Sequence, residues 1–454
     1  MITRISIRNF KSIKGIERPI LKPLTILTGV NASGKSSIME AISFFAQAAR
    51  LWGTFGGSES PTPTRIFTSG DLRTYPYQIE NFIPYKKNPR VPIELRITLE
   101  PDDLLISRIR FLLEGVKLSK ALGSVFKDKT KIESLGYSFR FQLSRGVYWQ
   151  KILVNNKLLI SVMSETRGPI AAAEVIEPDE FEGKRMQGSA DQVFNAGAFT
   201  PSGSSAADQD MRLISGIALR ILEHVRQRAQ NVFFISGERG RIDPEIRIKE
   251  HEGLPPSWVG VNGQHLVEIL SRCLTREPEK ASKIQKWANK FQLGNIRAGY
   301  IGSGLLESNF RDITLNVDLN STLAGLGSRQ VLSMITQIFW SDPGSVIMVE
   351  EPEISLHPEN QVLLHELFSE AVAEGKQIIC STHSPFFVLA ISRIVKKKLL
   401  PLDKIAVYEV EKDKEGTHVK PLKLNKHGFI VKGVPSFMKV EKELFKDWSE
   451  TLED

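Results

Sequence analysis

Residues 29–36 read Gly29-Val30-Asn31-Ala32-Ser33-Gly34-Lys35-Ser36, and this stretch decides the fold. It matches the pattern G-x-x-x-x-G-K-[ST] of a phosphate-binding loop. An apolar, β-branched run at residues 24–28 precedes it and is typical of a buried strand. Apolar residues at helical spacing follow it over residues 37–45. The order strand, loop, helix predicts a nucleotide site.

Each residue type in this loop has a physical reason. Glycines let backbone N–H groups turn inward around a polyphosphate, and the N-terminus of the following helix adds a favourable dipole. Lys35 can reach the β- and γ-phosphates, and the Ser36 hydroxyl can ligate Mg²⁺. The loop therefore predicts ATP-type chemistry with magnesium.

Composition sets the outer limits. The chain has 454 residues, 41% of them apolar and 25% charged, which indicates a globular protein of two or three domains. No apolar run approaches the ~20 residues that span a bilayer, and no signal peptide pattern begins the chain. Cys273 and Cys380 are far apart, which indicates a reduced compartment and no metal cluster. We therefore expect a cytoplasmic protein without membrane insertion.

The net charge of the chain bears on which partners it could bind. The formal net charge of +8 permits binding to nucleic acid but does not establish it. A salt-sensitive interaction with DNA is therefore an expectation that needs other support.

Local patterns predict further elements along the chain. Alternating apolar stretches joined by short polar links predict an antiparallel sheet between residues 91 and 165. Its strands are expected at 93–99, 137–143, 147–154 and 157–163. Residues 53–64 and 186–210, rich in small and polar residues, predict a mobile loop and a poorly ordered connection. We also expect an amphipathic helix at 211–230, a strand at 231–236, and helical structure at 262–291.

A second informative stretch lies far downstream. The apolar run at 345–349 predicts a central parallel strand that ends in Glu350 and Glu351. Two carboxylates at the C-terminal end of such a strand suit Mg²⁺ binding and polarisation of an attacking water. A helix at 361–374 and an apolar run at 377–380 follow, and His383 comes directly after them. That position favours a γ-phosphate sensor.

A third stretch combines glycines with the start of a helix. Residues 323–332 contain Gly325, Gly327 and Ser328 and open an apolar helical face. Small residues and exposed N–H groups at a helix start are suited to receive an anion.

The order of these motifs resembles an ABC-type ATPase head. Three motifs are similar to those of the RecF/SMC-like and OLD-like ATPases. They are Glu350-Glu351-Pro352-Glu353, Leu356-His357-Pro358 and Ser381-Thr382-His383-Ser384. Residues 233–239 and 259–264 resemble further strands and turns of that group, and residues 428–430 and 435–437 its C-terminal strand and loop. The resemblance covers most of residues 1–50 and 230–440.

The resemblance implies roles for individual residues. Glu350 would be the Walker B acid, Glu351 the catalytic base, Lys35 and His383 further catalytic groups, and His357 part of the D-loop. The Walker A motif would comprise Gly29, Asn31, Ala32, Ser33, Gly34, Lys35, Ser36 and Ser37. The segment near the base and ribose would be Asn9, Phe10 and Lys11, and the signature motif Gly325, Gly327 and Ser328.

Three positions depart from the family pattern. Glu350 stands where aspartate is more widespread. The serine of the signature motif could correspond to Ala324 or to Ser328. No glutamine of a Q-loop is identifiable, and Glu238 or Arg239 stands at that place.

The sequence thus predicts an α/β fold, a P-loop NTPase of the ABC-type head class. We expect a mixed central sheet, an antiparallel β lobe and an inserted helical and irregular region. Residues 1–50 and 231–440 would form the ATPase head, 51–230 the insertion and 441–454 a C-terminal tail.

Three function classes follow from this fold. The first is an ATP-dependent homodimeric, DNA-associated ATPase in repair, recombination or anti-phage defence, acting with a separate nuclease or effector subunit. The second is a nuclease of the OLD type, which the spacing of Asp403 and Asp413 does not favour. The third is the ATP-binding subunit of a transporter, which the absence of a membrane segment does not favour.

Overall fold

The protein is represented by a computed structural model. The structure describes residues 1–51, 85, 88, 90–116, 118, 120–126, 131–142, 146–163, 172–174, 185–187, 206–240, 246–247, 256–301 and 305–450. The loop predicted at 53–64 and most of the connection predicted at 186–210 lie outside the described residues.

The described elements alternate between strands and helices. The strands are β1 (Ile2–Phe10), β2 (Ile13–Ile16), β3 (Leu24–Thr28), β4 (Ile93–Leu99), β5 (Leu135–Gln142), β6 (Gly146–Val154), β7 (Lys157–Met163), β8 (Ala172–Glu174), β9 (Arg185–Gln187), β10 (Val232–Ile235), β11 (Ile246–Arg247), β12 (Leu293–Ile301), β13 (Leu305–Asp312), β14 (Val317–Asn320), β15 (Val346–Glu350), β16 (Gln377–Thr382), β17 (Ile405–Asp413) and β18 (Gly416–Leu422). The helices are α1 (Lys35–Leu51), α2 (Asp103–Leu113), α3 (Lys120–Val125), α4 (Ala206–Gln230), α5 (Leu266–Arg276), α6 (Pro278–Lys290), α7 (Leu326–Trp340), α8 (Pro358–Ala373), α9 (Pro385–Leu389), α10 (Ile391–Lys396) and α11 (Pro435–Glu450).

Two compact units divide the chain. The first comprises Met1–Leu21, Glu40–Gln230 and Asp413–His418. The second comprises Lys22–Met39, Asn231–Lys412 and Val419–Asp454. The four functional segments expected from the sequence stay a prediction.

The first unit is built on a six-stranded sheet of order β2-β1-β4-β5-β6-β7. All of its strand pairs are antiparallel, which confirms the predicted antiparallel lobe. Side chains alternate along these strands, so every second residue faces the core. Phe44 and Phe45 of α1 contact the rings of Tyr137, Phe139 and Phe141 at centroid distances of 5.4–5.9 Å. This aromatic cluster packs α1 against the buried face of β5.

The second unit is built on a sheet of order β10-β15-β16-β3-β17-β18. The pairs β10–β15, β15–β16, β16–β3 and β3–β17 are parallel. Strands β3, β10 and β16 are buried at every residue, as expected for strands covered on both faces. Because parallel strands end at one edge, the segments after β3, β15 and β16 meet there. This is the P-loop NTPase arrangement predicted from the sequence.

The strand order decides which segments are neighbours. Strand β16 lies between the acid-bearing strand β15 and β3, which leads into the phosphate loop. Ser381 of β16 is paired with Glu350 on one side and with Leu27 on the other. The histidine segment, rather than the acid pair, is therefore the nearest neighbour of the phosphate loop in the sheet.

A smaller antiparallel sheet was not predicted from the sequence. It joins β11, β13, β12 and β14, with β13 paired to the other three strands. Its strand β13 alternates between half-buried and buried residues, while β14 is exposed or half-buried throughout. Apolar and polar residues do not alternate regularly along these strands, so the sequence pattern did not separate them from loops.

Several boundaries differ from the predictions. Helix α4 begins at Ala206, so residues 206–210 are helical instead of irregular. The region 262–291 contains two helices, because Pro278 starts α6 directly after α5. Residues 428–430 form a turn with an isolated bridge, and residues 435–437 begin α11 instead of a loop.

The remaining expectations concern membranes and cysteines. None of the described helices combines the length and the apolar character needed to cross a bilayer. Cys273 and Cys380 are both free and buried.

Candidate functional site

The phosphate loop links β3 to α1 by backbone conformations that few residues adopt. Gly29 has φ +142°, Ala32 +58° and Gly34 +107°. Such positive φ values turn successive N–H groups toward one side and form a concave cradle for an anion. The two glycines and the helix start at Lys35 therefore give the loop the shape that its sequence predicts.

Gly29 is also required by a close approach. A Cβ atom at this position would lie inside van der Waals contact of the Val410 carbonyl oxygen on β17. The backbone of β17 thus packs directly against the start of the loop, and only glycine leaves room for it.

Replacing Gly29 with alanine is expected to lower the free energy of unfolding by about 2 to 4 kcal/mol, because the new methyl group clashes with a strand and the backbone is strained. Nucleotide affinity should fall in the folded fraction. Urea unfolding and nucleotide titration measure both effects. Gly299→Ala on β12, where a Cβ meets nothing within 4 Å, is the matched control. Equal stability of the two variants would contradict the prediction.

The Lys35 ammonium lies folded into the loop. Its Nζ donates to the carbonyl oxygens of Gly29 at 3.0 Å and Val30 at 2.8 Å, and to Ser33 Oγ at 3.4 Å. Burial lowers the Lys35 pKa to about 8, although Glu351, Glu350 and Glu353 act in the opposite direction. An ammonium that is desolvated in this way interacts strongly with any anion that enters the cradle.

The acid pair stands at the end of β15. Glu350 Oε2 accepts a long hydrogen bond of 3.4 Å from the Gly237 N–H. Glu351 has φ +40°, an unusual value for a residue with a side chain, and its N–H donates to the Ser381 carbonyl at 2.9 Å. The strained backbone turns the Glu351 carboxylate out of the strand, so that it is 40% exposed.

Arg239 binds the backbone of the turn that carries Glu350 and Glu351. It is completely buried, and its guanidinium donates to the carbonyl oxygens of Glu350 at 2.6 Å and Glu351 at 2.9 Å. It also donates to the Ser236 carbonyl at 3.2 Å. Burial lowers the Arg239 pKa to about 10, whereas Glu353, Glu351 and Glu350 oppose this shift. Arg239 therefore clamps the backbone of both acids.

Glu353 joins the acid turn to the histidine segment. Its Oε1 accepts from Thr382 Oγ1 at 2.6 Å and from the His383 N–H at 3.0 Å. Burial raises the Glu353 pKa, and these hydrogen bonds act against that rise. The carboxylate thus fixes the backbone from which the His383 side chain projects.

His383 lies between the phosphate loop and the acids. Its Nε2 is 3.7 Å from Glu351 Oε1. Burial, followed by the positive charge of Lys35, lowers the His383 pKa, while Glu351 raises it. The imidazole is therefore neutral near pH 7 and can donate or accept a hydrogen bond.

The start of α7 differs from the sequence expectation by a few residues. Residues 321–323 form a 3₁₀ turn, and α7 begins at Leu326 with Gly325 as its N-cap. Gly325 and Leu326 are exposed. Gly327 packs so closely on the Ser355 carbonyl that a Cβ would overlap it. The glycine turn thus presents backbone N–H groups at the surface while its far side contacts residues 355–356.

The other predicted residues have the following positions. Asn31, Ala32 and Ser36 are exposed, whereas Ser33 is buried. His357 is the N-cap of α8, where its Nδ1 accepts from the Glu359 N–H. This gives His357 a structural position at a helix start.

Residues 9–11 belong to the first unit. Asn9 donates to the Val91 carbonyl at 2.6 Å, Phe10 is fully buried, and Lys11 forms an ion pair with Glu40. Their expected contact with a base or ribose stays a prediction.

His365 of α8 supports the segment that follows His383. Its Nε2 is 2.6 Å from the Phe387 carbonyl oxygen, and the two rings are 4.1 Å apart. Complete burial lowers the His365 pKa from 6.5 to about 4. The folded protein therefore keeps this imidazole neutral.

This shift predicts a pH dependence of stability. Between pH 6.5 and 4 the unfolded chain binds a proton that the folded chain does not, so stability falls as pH falls. From pH 7 to pH 5 we expect a loss of about 2 kcal/mol from this group. Urea unfolding of wild type and His365→Phe at both pH values measures it. The variant should lose less stability on acidification, and an equal loss would contradict the assignment.

Two functional positions were missed or misread in the sequence. Glu353 was quoted within the acidic motif but received no role. Arg239 was considered only as a stand-in for a Q-loop glutamine, whereas it is buried and contacts backbone carbonyls. An arginine in the short turn after the wholly apolar strand β10 was the available signal, since a buried guanidinium requires several partners.

A comparison with protein families matches most of this chain. A family model described as "AAA domain, putative AbiEii toxin, Type IV TA system" matches residues 24–390. A stretch of 46 residues is 48% identical to the DNA replication and repair protein RecF of Acholeplasma laidlawii. That stretch covers 10% of this chain and 13% of the relative, so the similarity spans a small part of either protein.

Three solved structures align with most of this chain at TM-scores of 0.40–0.45. An Smc head bound to the C-terminal winged-helix domain of ScpA has a TM-score of 0.45 at 13% identity, covering 93% of this chain and 98% of that one. The SMC head domain of Thermotoga maritima has a TM-score of 0.40 at 10% identity, with 93% and 99% covered. An Smc head of Pyrococcus furiosus has a TM-score of 0.43 at 11% identity, with 98% and 99% covered.

Proposed function

The chain belongs to the AAA domain family whose model spans residues 24–390, as an ABC-type ATPase head of the RecF/SMC-like group, and we propose that it binds ATP and hydrolyses it to ADP and phosphate. One observation carries this proposal. The phosphate loop, the acid pair and His383 meet at one edge of the parallel sheet, where the charge of Glu351 acts on Lys35 and the charges of Lys35 and Glu351 act on His383.

The residues present fit a magnesium-bound nucleotide. The cradle at Gly29 has no room for a side chain, and the buried Lys35 ammonium donates hydrogen bonds to oxygens of the loop. Ser36 and Glu350 supply the hydroxyl and carboxylate oxygens that Mg²⁺ prefers. A magnesium ion held there would neutralise negative charge on the nucleotide phosphates.

The chain's own residues then have distinct tasks. Lys35 and the loop N–H groups bind and orient the phosphates. Glu351, turned outward at the strand end, orients the attacking water and accepts its proton. His383, neutral at pH 7, hydrogen-bonds the transferred phosphoryl group. Arg239 holds the backbone of Glu350 and Glu351, and Glu353 holds the backbone of His383.

We further propose that the complete site needs two copies of the chain. The exposed N–H groups at Gly325 and Leu326, with Ser328 behind them, would cap the nucleotide of a second subunit. Such a cap would exclude water and stabilise the transition-state charge. Binding of ATP would then bring the two subunits together, and hydrolysis would let them separate.

The biological setting is proposed from the relatives. The matched RecF stretch belongs to a DNA replication and repair protein, and this chain carries a net charge of +8. Both support association with DNA in repair or recombination. The family description names a toxin of a type IV TA system, which supports defence and a separate effector subunit as the other setting.

A complementation experiment tests the composite site. Lys35→Ala disables the phosphate loop, and Ser328→Glu places a negative charge at the proposed cap. Each variant alone should be inactive. Mixed in equal amounts, they should recover about a quarter of wild-type activity, because half of the dimers are mixed and each mixed dimer has one intact site. No recovery, with both variants folded, would exclude the two-copy site, and activity of Ser328→Glu alone would exclude the cap.

A further inference from the structure

A groove with apolar walls opens on the surface of the second unit. It lies between α9 and the start of α11, and Val388 and Phe437 line it from these two helices. The turn at 428–430 closes one end, where the Gly428 backbone packs so tightly on α10 that a Cβ would lie 2.9 Å from the Val395 side chain. The groove has a volume of about 170 Å³. Because an apolar cavity of about 150 Å³ holds a benzene ring, there is room for one large apolar side chain. We call this feature the apolar groove.

Large apolar side chains around the apolar groove are exposed to solvent. Leu389 is 57% exposed and Phe429 is 47% exposed, and both line the groove. Met438 lines it from α11, and the exposed side chains of Phe445 and Trp448 continue this stripe along the helix at i+7 and i+10. Contiguous exposed apolar surface with a polar border marks a site of interaction.

Lysines form that border. Residues 419–440 contain lysines at 420, 423, 426, 432 and 439 and no Asp or Glu. Four of these lysines are exposed and form no ion pair within the described part of the chain: Lys423, Lys426, Lys432 and Lys439. Lys432 and Lys439 are direct chain neighbours of residues that line the groove. Glu441 is the one carboxylate among the described lining residues, so the border has an excess of positive charge.

Both walls of the apolar groove are joined to the candidate nucleotide site. Helix α9 begins two residues after His383. In the other wall, the Ser436 N–H at the start of α11 donates to Glu409 Oε1 at 2.9 Å. Glu409 is buried on β17, where it is the sheet partner of Thr28, the last residue of β3 before the phosphate loop. Short ordered segments therefore connect the groove to two sides of the nucleotide site.

We propose that the apolar groove binds an acidic amphipathic helix of a separate protein subunit. The apolar stripe of such a helix would place a leucine or an aromatic side chain between α9 and α11, as helices do in other grooves of this kind. Its carboxylates would lie against the lysine border, and complementary charge at a rim fixes orientation and raises the association rate. This inference rests on the proposed separate effector subunit and names the surface on which that subunit docks.

Shape and charge favour this occupant over others. A nucleic acid backbone would pair with the lysines but would leave the exposed apolar side chains in water. A second copy of the chain, docked through the same surface, would bring the lysine borders of the two copies together, because a two-fold interface uses the same patch on both subunits. An acidic helix satisfies the lysines and covers the apolar side chains at once.

A designed peptide tests the proposal. The probe is a fluorescent helical peptide of about 16 residues, with leucines at i, i+3, i+4 and i+7 and mostly glutamates elsewhere. The control peptide has the same composition in scrambled order, without an apolar stripe. In fluorescence anisotropy the wild type should bind the probe saturably and bind the scrambled peptide at least about tenfold more weakly. Absence of saturable binding, or equal affinity for the two peptides, would overturn the proposal.

A substitution in the apolar groove locates the binding surface. Leu389→Asp should lower the affinity for the probe at least about tenfold, because it removes an apolar contact and adds a carboxylate that repels the peptide. Leu315→Asp changes an exposed leucine of the second unit outside the groove lining and is the matched control. Urea unfolding should show that both variants are folded like wild type. Equal affinities of the two variants would exclude the groove.

The lysine border has a test of its own. Lys426→Gln with Lys432→Gln should lower the affinity for the probe about threefold to tenfold and weaken its dependence on salt. Lys404→Gln with Lys412→Gln, two exposed lysines elsewhere in the second unit, should bind the probe like wild type. The same affinity and salt dependence in both double variants would contradict an acidic partner.

Further measurements distinguish the other occupants. Tighter binding of the wild type to phosphatidylserine-containing vesicles or to duplex DNA than to the probe, lost in Leu389→Asp, would assign the groove to that ligand and overturn the proposal. So would a nucleotide-free dimer that Leu389→Asp converts to a monomer in sedimentation velocity. If the wild type hydrolyses ATP but does not bind the probe, the docking proposal fails while the ATPase proposal stands.

Discussion

Replacing Glu351 with glutamine is expected to lower the rate of ATP hydrolysis by about 10²- to 10⁴-fold, the range expected when a general base is removed. The amide keeps the shape of the side chain but cannot accept a proton from water. The proposed contacts of Lys35 and the loop with the phosphates would not involve the Glu351 side chain, so ATP affinity should be retained. Steady-state hydrolysis and equilibrium nucleotide binding measure the two quantities.

The same variant reports on the oligomer. If ATP joins two copies and hydrolysis separates them, the Glu351→Gln protein should accumulate as a dimer with ATP and remain monomeric without nucleotide. Sedimentation velocity distinguishes these states. Glu359→Gln, at an exposed position in the first turn of α8, is the control and should behave like wild type. A Glu351→Gln protein that stays monomeric with ATP would contradict the two-copy site.

Replacing Arg239 with methionine is expected to lower the free energy of unfolding by about 3 to 5 kcal/mol, the range for removing one partner from a buried charge network. The substitution leaves three backbone carbonyls without their donor and three nearby carboxylates without a buried cation. Urea unfolding measures this loss. Arg276→Met at the exposed end of α5 is the control, and its stability should be close to wild type.

A separate measurement shows whether Arg239 also positions the catalytic turn. Its hydrogen bond to the Glu351 carbonyl holds a residue at φ +40°. With a looser turn, kcat should fall while KM for ATP changes little, because the phosphate loop is not touched. Arg239→Lys, which keeps the charge and one donor group, should restore part of kcat. A folded Arg239→Met protein with wild-type kcat would show that the arginine serves stability alone.

The amino-acid sequence by itself determined the parts of the site that depend on neighbouring residues. Strands β3, β4 and β7 occupy the residues predicted for them, because alternation and apolar runs are local signals. The phosphate loop was equally visible, since its glycines are required by the backbone conformation at positions 29 and 34. These features need no knowledge of distant contacts.

Only the tertiary structure decided which segments meet. It placed β16 between β3 and β15, and it brought Arg239 to the carbonyls of Glu350 and Glu351, more than a hundred residues away in the chain. It also paired strands from separate parts of the chain into the antiparallel sheet of the first unit. Strand order and register depend on the summed pairing and packing of distant segments. A local sequence pattern indicates whether a residue faces the core or the solvent. It does not indicate which distant segment packs against that face.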